Sequence, residues 1–346
     1  MKLQVSSSPH IRDQVTTASI MRDVILATVP AIIAAGYFFG LRAIIVILIS
    51  VLSCVIFEYL SRRIMKRDQT VSDLSAVVTG VLLAFNLPPT LPYYMVVIGA
   101  FFAIVVVKQM FGGLGNNFVN PALTARIILA IGFPQAMILW APAEGPSRFV
   151  ESLQQVDLVS SATPLAILKN QGLQGAEEIP SFLSLFLGDK AGCIGEISII
   201  ALLIGVIYLV SRKIITLWIP LTYIGTVMLL TLFMGYHNVF ELFSSGTPST
   251  DLMQLVFREP LYMLLSGGLV VGAFFMATDY VTSPITTRGR ILFGLGCGLI
   301  TVLIRYYGSS TEGVSFSIVL MNILTPHLDR LTKPKVFGEV TAHEKA

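Results

Sequence analysis

Charge is what this chain of 346 residues has least of: 12% of its side chains are Asp, Glu, Lys or Arg, against roughly a quarter in an ordinary globular domain. Hydrophobic residues make up 54%, and the mean hydropathy is +0.79. At this length a water-soluble fold must cover a large surface with polar groups, and 23 basic plus 20 acidic side chains are too few. The shortage excludes a soluble enzyme, a disordered chain and a nucleic-acid binder, the last because a net charge of +3 offers no basic field. Cysteine is also scarce. Cys54, Cys193 and Cys297 lie far apart with no CxxC pair, which argues against a disulfide scaffold or a self-contained iron–sulfur cluster. The four histidines (His10, His237, His327, His343) are scattered, so a metal or haem site has little support.

Long apolar runs are what the chain has instead. A helix of about 20 apolar residues spans a bilayer with its backbone satisfied internally. Windows of that size predict about ten spans: Val24–Phe39, Ala43–Leu60, Val71–Leu87, Tyr93–Val107, Pro121–Trp140, Ile194–Val210, Ile214–Met234, Tyr262–Ala277, Ile291–Ile304 and Ser315–Leu324. The fold expected is therefore an all-α polytopic membrane protein with about ten transmembrane helices. Five spans, a long polar loop and five more is the pattern of two inverted five-helix halves. The segments are 1–23 as an N-terminal tail, 24–140 and 192–326 as the halves, 141–191 as the loop, and 327–346 as a C-terminal tail. Residues 1–23 are polar and run directly into the multi-span core, so no cleavable signal peptide is expected.

The few charges are unevenly placed. The 141–191 loop carries six acids and three bases. Basic clusters sit instead in the short connections: Arg62, Arg63, Lys66 and Arg67; Arg212 and Lys213; Arg288 and Arg290; Arg330, Lys333 and Lys335. The positive-inside rule puts those connections and both termini in the cytoplasm and the acidic loop outside.

Four stretches look like sites, each with a plainer alternative. Gly112-Gly113-Leu114-Gly115-Asn116-Asn117-Phe118-Val119-Asn120-Pro121 combines glycines, amides and a proline before a span. This suits a broken backbone lining a polar cavity, or a tight turn capped by Asn120. Arg126, just inside that span, either snorkels to the headgroups or holds an anionic or electron-rich ligand. Lys108 reads as a membrane anchor, and Glu58 as a partner for Arg62 one turn away. Thr278 and Asp279, in Met276–Pro284, either cap a turn or supply oxygen ligands to a cofactor or cation. Met321–Arg330 is similarly ambiguous. In the loop, Asp157-Leu158-Val159-Ser160-Ser161-Ala162-Thr163-Pro164 reads as a hydroxyl-rich turn in which Ser161 or Thr163 caps a short helix.

Taken in order, these landmarks resemble the RnfD subunits of the Rnf complexes, a group similar to the NqrB subunits of the sodium-pumping NADH:quinone reductases. The likeness spans Ser72–Ser75, the run at 115–121, Ser160–Thr163, Ala277–Asp279 and Asn322–Arg330. The resemblance implies a urea-channel-like membrane fold. It also implies FMN joined by its phosphate to Thr163 through an extracytoplasmic flavin transferase, with Asp157, Ser160 and Ser161 in the recognition pattern; Ser161 stands where the family commonly has glycine. A second, non-covalent flavin (riboflavin or FMN) is implied for the helical core, with Asn116, Asn117, Asn120, Arg126, Thr278 and Asp279 as candidate surroundings. The function implied is that of a membrane subunit of an ion-translocating ferredoxin:NAD+ oxidoreductase. It would sit in a prokaryotic cytoplasmic membrane with the other Rnf subunits and pass electrons coupled to export of Na+ or H+. A solute or ion channel, or a secondary carrier without redox chemistry, is the alternative from another functional class.

Overall fold

The computed structural model describes residues 15–141, 163–171, 180–244, 251–308 and 312–334. The chain is an all-α, multi-pass membrane protein. Its helices are α1 Thr17–Phe39, α2 Leu41–Ile64, α3 Ser75–Phe85, α4 Tyr93–Gln109, α5 Pro121–Gly132, α6 Pro134–Met137, α7 Pro164–Gln171, α8 Phe182–Leu187, α9 Ile199–Ser211, α10 Trp218–Ser244, α11 Asp251–Leu265, α12 Leu269–Met276, α13 Thr287–Tyr307 and α14 Val314–Thr332. The last eight residues of α4 and the Gly272–Met276 part of α12 are wound as π-helix.

The expectation of ten full spans is overturned. Among the described residues four helices are long and apolar enough to cross a membrane: α1, α2, the Trp218–Tyr236 part of α10, and α13. A fifth results if Arg258–Leu265 and Leu269–Met276, bent by 66° across a short break, count as one span. The division into two inverted, urea-channel-like halves of five spans falls with the count. The reason lies in the breakers. Asn86-Leu87-Pro88-Pro89 stops α3 after 11 residues, and Gly132-Phe133-Pro134 stops α5 after 12. The 13 residues of α9 follow a turn-rich Gly192–Ser198. At about 1.5 Å per residue such helices reach less than about 20 Å, short of a hydrocarbon layer of about 30 Å. A hydropathy window registers the apolar content of such a stretch but not the turn inside it.

Small residues bring the helices together. Leu292, Leu295, Leu299 and Leu303 of α13 are exposed along one face, while Phe293, Cys297 and Thr301 are buried on the other. On that inner side Gly294 and Gly298 meet α10: a Cβ on Gly298 would lie 2.5 Å from the Cβ of Thr226. This is the small-xxx-small packing that helices use where lipid removes the hydrophobic drive to associate. Tyr223, Thr301 and Ser317 add a buried hydroxyl cluster across α10, α13 and α14, with distances of 2.7, 2.8 and 2.9 Å.

Contacts between helix ends define two poles. At one, Arg212 meets Asp23 at 3.3 Å, Arg67 donates to the Gln109 carbonyl, and Arg290 donates to Pro284 and Thr216. At the other, Arg42 donates to Thr90, the Ile194 amide to Leu87, Lys190 to Leu265, and Lys169 to Gly308. Basic residues of the connections gather at the first pole. The described parts of the 141–191 stretch dock at the second.

Candidate functional site

At the basic pole lies a cleft walled by α1, α3, α4, α5, the end of α9, and α12 with the turn after it. The enclosed volume is about 110 Å³, and the whole cleft with its open mouth is about 840 Å³. Leu82, Leu209, Ile214, Phe274 and Phe275 give it apolar walls; Ser75, Lys108, Asn117, Asn120, Thr278 and Asp279 give it polar points. Apolar walls with a few fixed polar groups are the usual make-up of a small-molecule site.

The glycine–asparagine run builds one wall. Gly112, Gly113 and Gly115 have φ of 121°, 100° and 92°, a region open to glycine and strained for other residues. At Gly113 the Arg62 guanidinium also packs where a side chain would stand. The run then enters α5 through Asn120. Its Oδ1 accepts from the amides of Ala122 (3.1 Å) and Leu123 (3.3 Å), a helix cap, while its Nδ2 donates to the Met276 carbonyl (3.3 Å). The capping and cavity readings therefore hold together at one residue. Asn322 of α14 accepts from the Asn120 amide and donates to Thr282, tying this wall to the opposite one.

That opposite wall carries Thr278 and Asp279. Thr278 bonds back to the Phe274 carbonyl at 2.7 Å. Asp279, in the turn after α12, accepts from Thr282 (3.1 Å) and the Val281 amide (3.5 Å). Burial pushes its carboxyl above the usual range, and those two hydrogen bonds pull it back.

Of the residues expected at a core site, Asn117, Asn120, Thr278 and Asp279 line this cleft; Asn116 is exposed beside it. Arg126 lies elsewhere. It is buried, pairs with Glu312, and donates to Ser315 (2.5 Å) and toward Cys193 Sγ (3.7 Å). Cys193, Glu196 and Glu312 bring their ligand atoms within 4.8 Å of one another, and the Arg126 guanidinium contacts two of them, Glu312 and Cys193. Snorkelling is not what Arg126 does. Lys108, expected as a membrane anchor, joins the cleft instead, and so does Ser75. Lys108 turns inward because α4 winds as π-helix over its last two turns, and such segments recur at functional sites. The sequence carries no visible signal for a π turn.

Thr163 opens α7 at the other pole. It is buried, and its Oγ1 accepts from the Ala166 amide at 3.2 Å, the capping role expected of it. Leu165 packs beside Gly267, which also touches the Arg305 guanidinium. Asp157, Ser160 and Ser161 lie outside the described residues.

Residues 4–338 match the NQR2, RnfD, RnfE family. The chain belongs to that family. It is 45% identical over 348 residues to the D component of the Na(+)-translocating ferredoxin:NAD(+) oxidoreductase complex of Acetobacterium woodii, covering all of this chain and 98% of that protein. Identity is 41% to the D component of the proton-translocating ferredoxin:NAD(+) oxidoreductase complex of Clostridium ljungdahlii, over 96% of each. It is 35% to the D component of the ion-translocating oxidoreductase complex of Escherichia coli K12, over 98% of this chain and 99% of that one.

Proposed function

We propose that this chain is the RnfD-type membrane subunit of an ion-translocating ferredoxin:NAD+ oxidoreductase complex, that it carries FMN on Thr163, and that the cleft holds a second, non-covalent flavin. Full-length similarity to three such components supports the first part. Cytoplasmic placement of the basic pole follows from the positive-inside rule and puts Thr163 on the outer side, where a flavin transferase would act. The observation that carries the second flavin is the cleft itself: apolar walls for a flat ring, amides at Asn117 and Asn120, and a carboxyl at Asp279. A bound flavin supplies one- and two-electron chemistry, while the chain supplies orientation and electrostatics. Asn117 and Asn120 are suited to hold the polar edge of such a ring, and Phe274 and Phe275 to exclude water from its face.

At Thr163 the hydroxyl oxygen accepts from the Ala166 amide as a cap, and attachment of a phosphate replaces the hydroxyl proton, which that bond does not use. Lys169, Lys190 and Arg305, which tie this region to the ends of α11 and α13, supply positive charge in the neighbourhood of a phosphodiester. The test is flavin analysis of protein expressed with an active transferase. A fluorescent band on a denaturing gel, an FMN mass increment on the Thr163 peptide and loss of both in Thr163→Ala are expected. A flavin-free band under those conditions refutes the covalent reading. The coupling ion, Na+ or H+, is to be decided by transport in vesicles that hold the whole complex.

A further inference from the structure

Lys108 is the only cation among the described residues that line the cleft. It is 2% exposed, and its Nζ donates to Glu58 Oε2 at 2.8 Å and to Ser75 Oγ at 2.7 Å. Ser75 is held in turn by Asp73, 2.5 Å away, and Glu58 Oε1 accepts from Thr70 at 2.6 Å. Glu58 is fully buried and does not reach the cleft wall. The pair is therefore a fixed dipole with its positive end toward the cleft. A lysine serving only as an anchor near a span end points its ammonium to water. Burying one costs several kcal/mol even when paired, and here it puts a single positive charge against the space assigned to a ring.

We propose that Lys108 is the countercharge for the electron-loaded, anionic form of a redox-active aromatic ring in the cleft. It raises that ring's reduction potential without being needed to bind the oxidised form. The inference rests on the flavin reading of the cleft. In the step concerned, the ring gains one electron and one negative charge from a one-electron carrier such as a reduced ferredoxin-type protein, which is oxidised by one electron. No bond forms or breaks, and the ammonium, being in place beforehand, stabilises the new charge with little reorganisation.

The experiment uses the intact complex. Flavin released by acid precipitation is counted, and the potential of the non-covalent flavin is titrated spectroscopically in wild type, in Glu58→Gln, and in the double variant Glu58→Gln/Lys108→Met, which removes both charges and leaves no buried ion unpaired. In the double variant the preference for the reduced form is expected to fall at least tenfold, or about 59 mV for one electron, with flavin content unchanged. Glu58→Gln, which keeps the cation and removes its partner, is expected to hold or raise the potential. An unchanged potential in the double variant with flavin still bound overturns the proposal, as does loss of the oxidised flavin. A wild-type complex that releases no non-covalent flavin overturns the reading of the cleft itself.

Discussion

The Glu58–Lys108 pair allows a stability test whose sign depends on how many charges are removed. Both side chains are essentially out of solvent, at 0% and 2% exposure. Lys108→Met leaves the Glu58 carboxylate buried, with Thr70 as the donor that remains to it among the described residues. Breaking a buried pair from one side costs about 3–5 kcal/mol, because the survivor keeps its desolvation cost and loses its partner. Glu58→Gln is milder, since an amide oxygen can still accept from Lys108, and about 2 kcal/mol is expected. Replacing both removes the desolvation cost together with the attraction, so the double variant should lie within about 1 kcal/mol of wild type. Together these imply a coupling of at least about 4 kcal/mol, above the roughly 0.5–3 kcal/mol usual for contacting residues. The assay is thermal or denaturant unfolding in one detergent for all four proteins, read as a double-mutant cycle. Additive losses, with the double variant the least stable, would show that the two charges do not depend on each other and would refute the argument.

Other outcomes follow from neighbouring features. Gly298→Leu puts a side chain where Thr226 already stands, 2.5 Å from its nearest atom; a loss of about 1–3 kcal/mol is expected, and an unchanged melting temperature would show that α10 and α13 can separate freely. Asn120→Ala removes a double cap and the bond to Met276; about 1–2 kcal/mol and weaker retention of non-covalent flavin are expected, whereas Asn116→Ala, at an exposed position, should change neither. Lys190 gives a pH signature. Burial pushes its ammonium from 10.5 down to about 8, partly offset by Glu196. The folded chain then binds fewer protons than the unfolded one between those values, so stability rises with pH across that window, by up to about 3 kcal/mol. Lys190→Met should abolish the rise, and a rise that persists in that variant would assign it to another group.

How far the sequence reaches differs between the fold and the site. Scarcity of charge and long apolar runs were enough for an all-α, multi-pass membrane protein, because a bilayer admits few ways to satisfy a backbone. The glycine–asparagine run announced unusual backbone, and three positive φ angles follow from it. Asn117, Asn120, Thr278 and Asp279 could be named because polar groups inside apolar segments stand out one by one. The number of spans could not be read. Hydropathy sums over a window, whereas α3 and α5 end where single Asn, Pro and Gly residues release the backbone, and α9 begins only after the Gly192–Ser198 turn.

Pairing lay further from reach. Glu58 has Arg62 four residues away, the local partner a helix offers, yet it pairs with Lys108 across 50 positions. Arg126, which sequence grouped with the asparagines six residues earlier, turns instead to Glu312 and Cys193. Both results depend on which face of one helix packs against which face of another, and on a π turn that rotates Lys108 inward. Composition fixed the solvent this chain folds in, and local chemistry fixed its turns. Only tertiary packing, which decides where a buried charge finds its opposite, put one ammonium at the wall of the cleft and sent the nearest arginine elsewhere.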